Sequence, residues 1–333
     1  MVSLDHTYCA LFDSAYLPKA LVLYRSLVHH RPDAELVAYC FDDASVDTLR
    51  RLGLPRVHPI SLSELEADDP DLAAVRQDRT TVEYFWTATP AVVVNLMSRR
   101  PDLDRVTYVD ADLRFFCDPQ ILFDEMADQS VLITPHRYPP IYAQHEVHGL
   151  FNVQFMSFRL DDRGHAVAAW WRERCLEWCY DRIEPTRFAD QKYLDEWPQR
   201  FDGVHVLEHP GGGLAPWNAF GHDVRVTDGI GSVDGEPLVF FHFHGLRLLE
   251  NGRARLWPAG FHVPRAVRRD VYGPYLRELA QARRDIVAVA PDYDDDLVAP
   301  PTVSVRWAQL RSRIGEAATR RLWSVRHQEP AAS

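Results

Sequence analysis

The sequence predicts an α/β protein built on a doubly wound, mostly parallel sheet. In the first third of the chain, short apolar runs alternate with segments of helical periodicity, as in "TYCALF" followed by "LPKALVLYRSLVHH". The run from Val106 to Val109 is apolar on both faces, which is typical of a strand covered by helices on each side. Because a helix between two strands returns the chain to the start of the sheet, this alternation favours parallel strands.

The predicted elements follow in order along the chain. The early strands are "TYCALF", "ELVAYCF", "RVHPI" and "RVTYVD". The early helices are "LPKALVLYRSLVHH", "VDTLRRLG", which ends at Gly53, and "PAVVVNLMSRR", which we expect to begin at Pro90. Later strands are expected in "VLITPHR", "FNVQFMSFRL" and "LVFFHFHG", and a Trp- and Arg-rich helix from about His165 to Tyr180.

The amino-acid composition indicates which partners and which compartment to expect. The chain has 333 residues, 46% of them hydrophobic, and a net charge of −11, which argues against nucleic acid as a partner. Its five cysteines are scattered without metal-site spacing, as expected in a reducing compartment. The apolar start of the chain is interrupted by Asp13, Lys19 and Arg25, so it predicts neither a signal peptide nor a membrane span. We therefore expect a cytoplasmic protein.

Two carboxylates follow the strand "RVTYVD". Asp110 and Asp112 are two positions apart, so in an extended chain their side chains project to one side. In parallel sheets ligands bind beyond the carboxyl ends of the strands, where Asp13 also lies. Carboxylates there can hold Mg²⁺ or Mn²⁺ together with substrate phosphates. A solvated strand end with no metal would show the same pattern.

Two further segments carry polar groups that could bind a metal ion or a sugar. His242 and His244 alternate in "FFHFHG", so either could complete a metal site, and either could be a structural histidine. Asp190 and Gln191 in "FADQKYLD" offer the donors and acceptors that a sugar hydroxyl requires. The same two residues could equally cap a helix.

Five segments together resemble bacterial GT-A-fold glycosyltransferases, most closely glycosyltransferase family 8. "FDSAYLPKALVLYRSLVHH" is similar to the family's nucleotide-binding start, and "YVDADLRFFCDPQILF" to its D-x-D motif followed by D-P-x-x-L-F. "FNVQFMSFRL" is similar to the F-N-A-G segment, "ADQKYLD" to D-Q-x-x-L-N, and "HFHG" to H-[FY]-x-G. The segments occur in the family's order over about residues 6 to 250.

The resemblance implies a role for each matching position. The metal ligands that it implies, for Mn²⁺ or Mg²⁺, are Asp110, Asp112 and His242. The nucleotide-binding residues that it implies are Phe12, Asp13, Tyr16 and Asp110. The residues that it places against the transferred sugar, and that we take as catalytic candidates, are Asn152, Asp190 and Gln191.

The chain also departs from the family pattern. Ala15 stands where the family has asparagine, and Gln154 stands where F-N-A-G has glycine, which we expect to reshape the sugar pocket. A basic residue expected before the fourth strand is replaced near Trp86, and Arg79 is the candidate substitute for binding the nucleotide. The K-P-W that follows H-[FY]-x-G is absent, which leaves Arg247 as the nearest candidate for the diphosphate.

The domain organisation follows from the same resemblance. We expect a GT-A catalytic domain over residues 1–262, with a nucleotide-binding half over about 1–130 and a sugar and acceptor half over about 131–262. The loop "HPGGGLAPWN" supplies the acceptor candidates His209, Trp217 and Asn218. Residues 263–333 form a predicted C-terminal helical extension, in which residues 303–327 carry six arginines against one glutamate. Such a basic amphipathic helix could contact the inner face of a membrane or pack on its own domain.

The sequence therefore predicts a metal-dependent transferase that moves a hexose from a nucleotide diphosphate sugar, with a UDP-sugar as the first choice. The resemblance implies retention of anomeric configuration. The acceptor is open among a lipid-linked glycan, a small molecule and a protein. Alternatives are a non-catalytic sugar-nucleotide binder, a sugar nucleotidyltransferase, although "FDSAYLPK" lacks the glycine-rich loop of that class, and a metal-dependent oxygenase or hydrolase using His242 and His244.

Overall fold

The computed structural model of the protein describes residues 6–227, 229–251, 253–257 and 260–293. The strands, in chain order, are β1 Thr7–Phe12, β2 Glu35–Cys40, β3 Val57–Ser61, β4 Arg105–Val109, β5 Leu113–Phe115, β6 Val131–Pro135, β7 Phe151–Arg159, β8 Val204–Val206, β9 Val224–Thr227, β10 Ile230–Val233, β11 Glu236–Pro237, β12 Phe240–His242, β13 Arg247–Leu248 and β14 Ala254–Arg255.

The α-helices are α1 Leu17–His30, α2 Asp43–Leu52, α3 Leu62–Asp68, α4 Pro70–Val75, α5 Thr81–Arg99, α6 Gln120–Met126, α7 Asp162–Glu177, α8 Trp197–Arg200, α9 Arg265–Val267 and α10 Gly273–Val289. Short 3-10 segments cover Ser14–Tyr16, Arg76–Asp78, Pro140–His148, Lys192–Glu196 and Ala219–Gly221, and a π-helical turn covers Arg268–Tyr272. The predicted helix from about His165 is α7, displaced by three residues toward the N-terminus.

The central sheet has seven strands in the order β3-β2-β1-β4-β7-β6-β8. Only β7 within this sheet runs antiparallel to its neighbours, β4 and β6, and the other neighbouring pairs are parallel. The predicted mostly parallel sheet is therefore confirmed. The chain builds outward from β1 to β3 and then places β4 on the other side of β1. This reversal creates the crevice in which open α/β sheets bind ligands.

Apolar side chains cover both faces of the sheet. Along β1, Tyr8, Ala10 and Phe12 join one buried cluster, while Cys9 and Leu11 join the other. The first cluster contains side chains of α1, α2 and α10, and the second contains side chains of α5 and α7. This two-sided burial explains why the strand sequences read as continuous apolar runs rather than as alternating patterns.

Helix α5 begins nine residues earlier than the sequence predicts. The Thr80 hydroxyl accepts a hydrogen bond from the Glu83 N–H at 3.3 Å, and the Glu83 carboxylate accepts one from the Thr80 N–H at 2.9 Å. This capping box satisfies backbone groups of the first turn, so the helix starts there. Pro90 lies in the helix interior, where it costs one backbone hydrogen bond. The predicted start at Pro90 was wrong because the stronger signal, T-x-x-E, lies upstream.

The described part of the predicted C-terminal extension packs on the main domain. Tyr275, Leu279 and Ile286 of α10 belong to the same buried cluster as α1. Two hydrogen bonds of 2.8 Å each join the Arg114 guanidinium to the Glu278 carboxylate. Residues 303–327, for which a basic amphipathic helix is predicted, lie outside the described residues. Within the described residues, no helix combines the length and the apolar character needed to cross a bilayer.

The packing of α10 can be tested with two neighbouring residues. The side chain of Ile286 is fully buried, whereas that of Val287 is 43% exposed. We expect Ile286→Ala to lower the free energy of unfolding by about 2–5 kcal/mol, because it leaves a cavity in the core. Val287→Ala, the matched control, should change it by less than about 0.5 kcal/mol. Urea unfolding followed by circular dichroism measures both, and equal small effects would show that α10 contributes little to the core.

Candidate active site

A cleft of about 850 Å³ opens at the carboxyl ends of β1 and β4, where the strand order reverses. This volume suits a ligand with several tens of atoms. Most residues predicted from the sequence line it, namely Phe12, Asp13, Tyr16, Asp110, Asp112, Asn152, Asp190, Gln191, Trp217, His242 and Arg247. The fold therefore gathers side chains that lie far apart in the sequence.

The backbone brings the D-x-D segment against the "HFHG" segment. After β4, the Asp110 N–H donates to the Gln154 carbonyl at 2.9 Å, and the chain turns into β5. Strand β5 pairs antiparallel with β12, which places Leu113 opposite His242. The Phe243 N–H then donates to the Asp112 carbonyl at 3.0 Å. The pairing of β5 with β12 thus places the histidine beside the D-x-D segment.

Asp110, Asp112 and His242 form a compact set of metal-ligating groups. The His242 Nε2 atom lies 3.0 Å from Asp112 Oδ1 and 3.6 Å from Asp110 Oδ2. One ligand atom from each of the three side chains lies within 4.8 Å of the others. Two carboxylates and one imidazole are a donor set that suits Mn²⁺ better than Mg²⁺. The residues therefore fit the divalent ion that the resemblance implies. His244, the alternative ligand in the sequence, is not part of this set.

The charges of the three groups are strongly coupled. Burial raises the pKa of Asp110 to about 6, with a further contribution from the Asp112 charge. Burial acts in the same direction on Asp112, but His242 and Lys19 together hold the pKa of that carboxyl well below its usual range. Although burial opposes its protonation, the two carboxylates raise the pKa of His242 above its ordinary value.

Two cations meet at the ring of Tyr16. The Lys19 Nζ atom lies 3.7 Å from the centre of the ring and 3.6 Å from Asp112 Oδ2. The Arg247 guanidinium donates to the Tyr16 hydroxyl at 2.7 Å. Burial lowers the pKa of Lys19 to about 8. This wall of the cleft therefore presents positive charge beside the carboxylates.

The nucleotide side of the cleft begins at the end of β1. Phe12 is its last residue, and the Asp13 carboxylate accepts a hydrogen bond from the Tyr16 N–H at 3.3 Å, which caps the 3-10 turn Ser14–Tyr16. Ala15 and Phe85 also line this region. The capped turn fixes the ring of Tyr16 at the cleft wall.

The sugar side of the cleft is built by a hydrogen-bonded network. The Asn152 Nδ2 atom lies 3.1 Å from His136 Nε2 and donates to Gln191 Oε1 at 3.3 Å. The Gln191 amide in turn donates to the His148 carbonyl at 2.8 Å. Burial lowers the pKa of His136 to about 3, so its ring is neutral and can accept from Asn152. Asn152 and Gln191 are thus joined, and the Gln191 side chain makes no capping hydrogen bond to the 3-10 segment Lys192–Glu196 that follows it.

Asp190 is a buried carboxyl group of the cleft with a strongly raised pKa. It is almost fully buried, and burial together with the charge of Asp110 raises its pKa to about 8. The preceding residue, Ala189, adopts a φ of +47°, in the left-handed region that side chains disfavour. The Trp171 indole N–H donates to the Asp190 carbonyl at 2.8 Å and fixes this backbone. Strain and desolvation at one position are typical of functional sites.

Trp217 is the only one of the three acceptor candidates that lines the cleft. Its ring centre lies 5.4 Å from those of both His242 and His244. Asn218 is buried below the cleft, where its amide donates to the carbonyls of His136 at 3.0 Å and Gly213 at 2.9 Å. His209 lies outside the cleft lining, and its ring accepts from the Gly211 N–H at 3.1 Å. Asn218 and His209 therefore support the loop "HPGGGLAPWN" rather than face a ligand.

Two other predicted positions also lie away from the cleft. The Arg79 guanidinium packs over the Tyr180 ring and donates to the Leu176 carbonyl at 3.1 Å, so it does not reach the nucleotide side. Gln154 is fully buried on β7 and does not line the cleft, so the expected effect on the sugar pocket is not direct. Neither Arg79 nor Gln154 lies at the end of a strand of the central sheet, where the cleft opens. Their positions in the sequence therefore did not indicate whether they face the cleft.

Several residues of the cleft received no role from the sequence. Lys19 is three residues after Tyr16, a spacing that places both on one face of a helical segment. Lys192 is the only other lysine in the chain, which makes Lys19 conspicuous among many arginines. His136 directly follows β6, at the same sheet edge as Asp110. Position at a strand end was therefore the signal that could have identified His136.

Comparison with known sequences shows the family. No protein-family model matches the chain. The chain is 29% identical over 294 residues to the uncharacterized protein YfnD of Bacillus subtilis (strain 168), a match that covers 87% of this chain and 94% of YfnD. It is 30% identical over 282 residues to the uncharacterized protein YfnF of the same organism, with 82% of this chain and 90% of YfnF covered. The chain belongs to the same family as YfnF.

Comparison with solved structures shows the fold. The galactosyltransferase LgtC in complex with donor and acceptor sugar analogues is similar with a TM-score of 0.50 and 15% identity, over 83% of this chain and 95% of that chain. An active-site mutant of LgtC gives a TM-score of 0.53 and 16% identity over the same shares. The predicted GT-A fold is therefore confirmed.

The metal set can be tested without any substrate. Asp112→Asn removes a charged ligand from the three-residue set, and we expect the affinity for Mn²⁺ to fall about tenfold or more. Titration calorimetry, or electron paramagnetic resonance of free Mn²⁺, measures the change. Asp47→Asn, on the exposed side of α2, is the matched control and should leave the affinity unchanged. Unaltered Mn²⁺ binding by Asp112→Asn would place the ion elsewhere.

The buried carboxyl of Asp190 predicts a pH-dependent stability. An unfolded aspartate loses its proton near pH 4, whereas Asp190 in the folded protein loses it near pH 8. Between these values the folded state binds the extra proton, so this residue lowers the free energy of unfolding as the pH rises. Asp190→Asn should therefore be more stable than the wild type by a margin that grows from pH 5 to pH 8. Urea titrations in EDTA at both pH values test this, and a constant margin would contradict it.

Proposed function

We propose that this member of the YfnF family is a metal-dependent glycosyltransferase that moves a hexose from a nucleotide diphosphate sugar to an acceptor hydroxyl. A UDP-sugar is the proposed donor, and retention of configuration is the proposed stereochemical outcome. One observation carries the proposal: a set of two carboxylates and an imidazole lines the same cleft of a GT-A fold as the hydrogen-bonded side chains of Asn152 and Gln191. The likeness to LgtC with donor and acceptor analogues supports a sugar donor.

The residues of the nucleotide side would hold the base and the diphosphate. The Asp13 carboxylate and the Tyr16 ring form the wall beyond β1, where a base could lie against the ring and hydrogen bond to the carboxylate. A divalent ion held by Asp110, Asp112 and His242 would neutralise charge on the leaving diphosphate. Arg247, close to Tyr16, offers a guanidinium that can bind phosphate oxygens in a bidentate manner.

The residues of the sugar side would orient the hexose. Asn152 and Gln191 hold each other in place, so the second N–H of the Gln191 amide and the remaining lone pairs of the two carbonyl oxygens are preorganised for sugar hydroxyls. Asp190 lies close enough to Asp110 for their charges to interact, and it precedes Gln191 of the proposed sugar network, which supports a role for its carboxyl group beside the transferred sugar. As a neutral acid it can donate to the sugar, and as a carboxylate it would stabilise positive charge at an oxocarbenium-like transition state.

The acceptor side is lined mainly by rings. Tyr138, His145, Trp217 and Phe261 contribute to this part of the cleft. Rings of this kind can stack on the apolar face of a sugar, and we propose a glycan, a small molecule or a protein carrying such a group as the acceptor. A lipid-linked glycan remains among these candidates. All five cysteines are free thiols, which supports the proposed cytoplasmic location.

The activity can be tested with a panel of donors. We expect UDP release from UDP-glucose, UDP-galactose or a related sugar nucleotide in the presence of Mn²⁺, and loss of that release in EDTA or after Asp112→Ala. The physical reason is that the leaving diphosphate then lacks its counter-charge. A coupled assay for UDP measures turnover, and proton NMR of the product reports the anomeric configuration. Asp47→Ala is the control with an exposed carboxylate removed.

Each alternative gives a different result in this assay. Turnover that is independent of metal, or full activity of Asp112→Ala, would contradict the metal role. Sugar-nucleotide binding by calorimetry, without turnover across many acceptors, would favour a non-catalytic binder. Release of pyrophosphate from a nucleoside triphosphate and a sugar phosphate would favour a nucleotidyltransferase.

A further inference from the structure

The wall of the cleft beside the carboxylates contains a lysine with no hydrogen-bond acceptor. Lys19 is 6% exposed, and its Nζ atom has no hydrogen-bond partner among the described residues. Its nearest carboxylate oxygen, Asp112 Oδ2, is 3.6 Å away. An ammonium group has three donors and is almost never buried without partners. The Nζ atom itself is covered from solvent, but Lys19 is one of the residues that line the cleft.

The position of Lys19 links the two ends of the donor site. On one side its Nζ atom faces Asp112 of the metal set, and on the other it lies over the ring of Tyr16. The hydroxyl of the same ring accepts from Arg247. Two cations are therefore arranged around one ring, beside the carboxylates. A group that joins the base side to the metal set has to pass them, and in a nucleotide diphosphate that group is the diphosphate.

We propose that Lys19 binds the diphosphate of the nucleotide donor and that it pairs with Asp112 only while the site is free of ligand. This inference rests on the proposed function and assigns a phosphate-binding role to a residue on α1. If Asp112 served as a ligand of a divalent ion, its carboxylate would be less available to the ammonium group of Lys19. Phosphate oxygens then supply the acceptors that Lys19 lacks in the free protein.

Binding measurements with Lys19→Met test this role independently of turnover. In saturating Mn²⁺ we expect the variant to bind UDP about tenfold more weakly than the wild type, because one charge-assisted hydrogen bond to phosphate is lost. Binding of uridine, which has no phosphate, should be unchanged, and competition against UDP measures it. Lys19→Arg keeps the charge and should retain most of the affinity. If Lys19→Met does not fold, Lys19→Gln provides the same test with a polar side chain.

A second measurement addresses the pairing with Asp112. Without nucleotide, Lys19→Met should bind Mn²⁺ several-fold more tightly than the wild type, because a positive charge beside the ligand is removed. A purely structural lysine would not move the affinities for UDP and Mn²⁺ in opposite directions. Arg50→Met, which removes an exposed positive charge from α2, should leave both unchanged.

The outcomes separate this inference from the proposed function. If wild type binds UDP and Lys19→Met binds it within twofold, the role of Lys19 in phosphate binding is wrong, while the proposed function stands. If Mn²⁺ binding by Lys19→Met is unchanged or weaker, the pairing with Asp112 is wrong. If the wild type itself binds no UDP, the proposed UDP-sugar donor fails, and this inference fails with it.

Discussion

The site depends on the cost of holding two carboxylates close together at a buried sheet end. Asp110 and Asp112 repel each other, and removing them from water adds to that cost. The fold answers with nitrogen groups from two different elements, the imidazole of His242 on β12 and the ammonium group of Lys19 on α1. Without a metal ion, these groups keep Asp112 ionised. The need for them explains why distant parts of the chain must meet here.

The same constraint links the cleft to the architecture around it. The pairing of β5 with β12 fixes His242 opposite Leu113, and the loop that contains Trp217 lies directly beneath, since the His242 N–H donates to the Leu214 carbonyl at 2.8 Å. Helix α10 packs on α1, which carries Lys19, so the C-terminal part of the described chain supports the cationic wall of the cleft. A site of this kind needs both halves of the domain to be folded before its charges are balanced.

Asp190, in the same cleft, lowers the stability of the folded protein. A carboxyl group that is buried, close to another carboxylate and preceded by a residue with positive φ opposes folding on three counts. None of these features helps the packing of the core. They are in keeping with the proposed contact between this carboxyl group and the transferred sugar. Gln154, which departs from the family pattern, is also buried, but it does not line the cleft. Its substitution therefore does not concern the ligand directly, whereas Asp190 lines the cleft.

Local sequence determined six of the seven strands of the central sheet, the helices α1, α2 and α7, and the edge of the sheet where Asp13 and Asp110 lie, because apolar periodicity and strand ends are properties of neighbouring residues. It misplaced the start of α5 and could not position Arg79, since that guanidinium is engaged by a distant loop. The resemblance brought His242 to the carboxylates, and only the β5–β12 pairing accounts for the distance of 3.0 Å. Tertiary structure alone decided that Lys19 faces Asp112, because the balance of charge at this site is set across elements rather than along the chain.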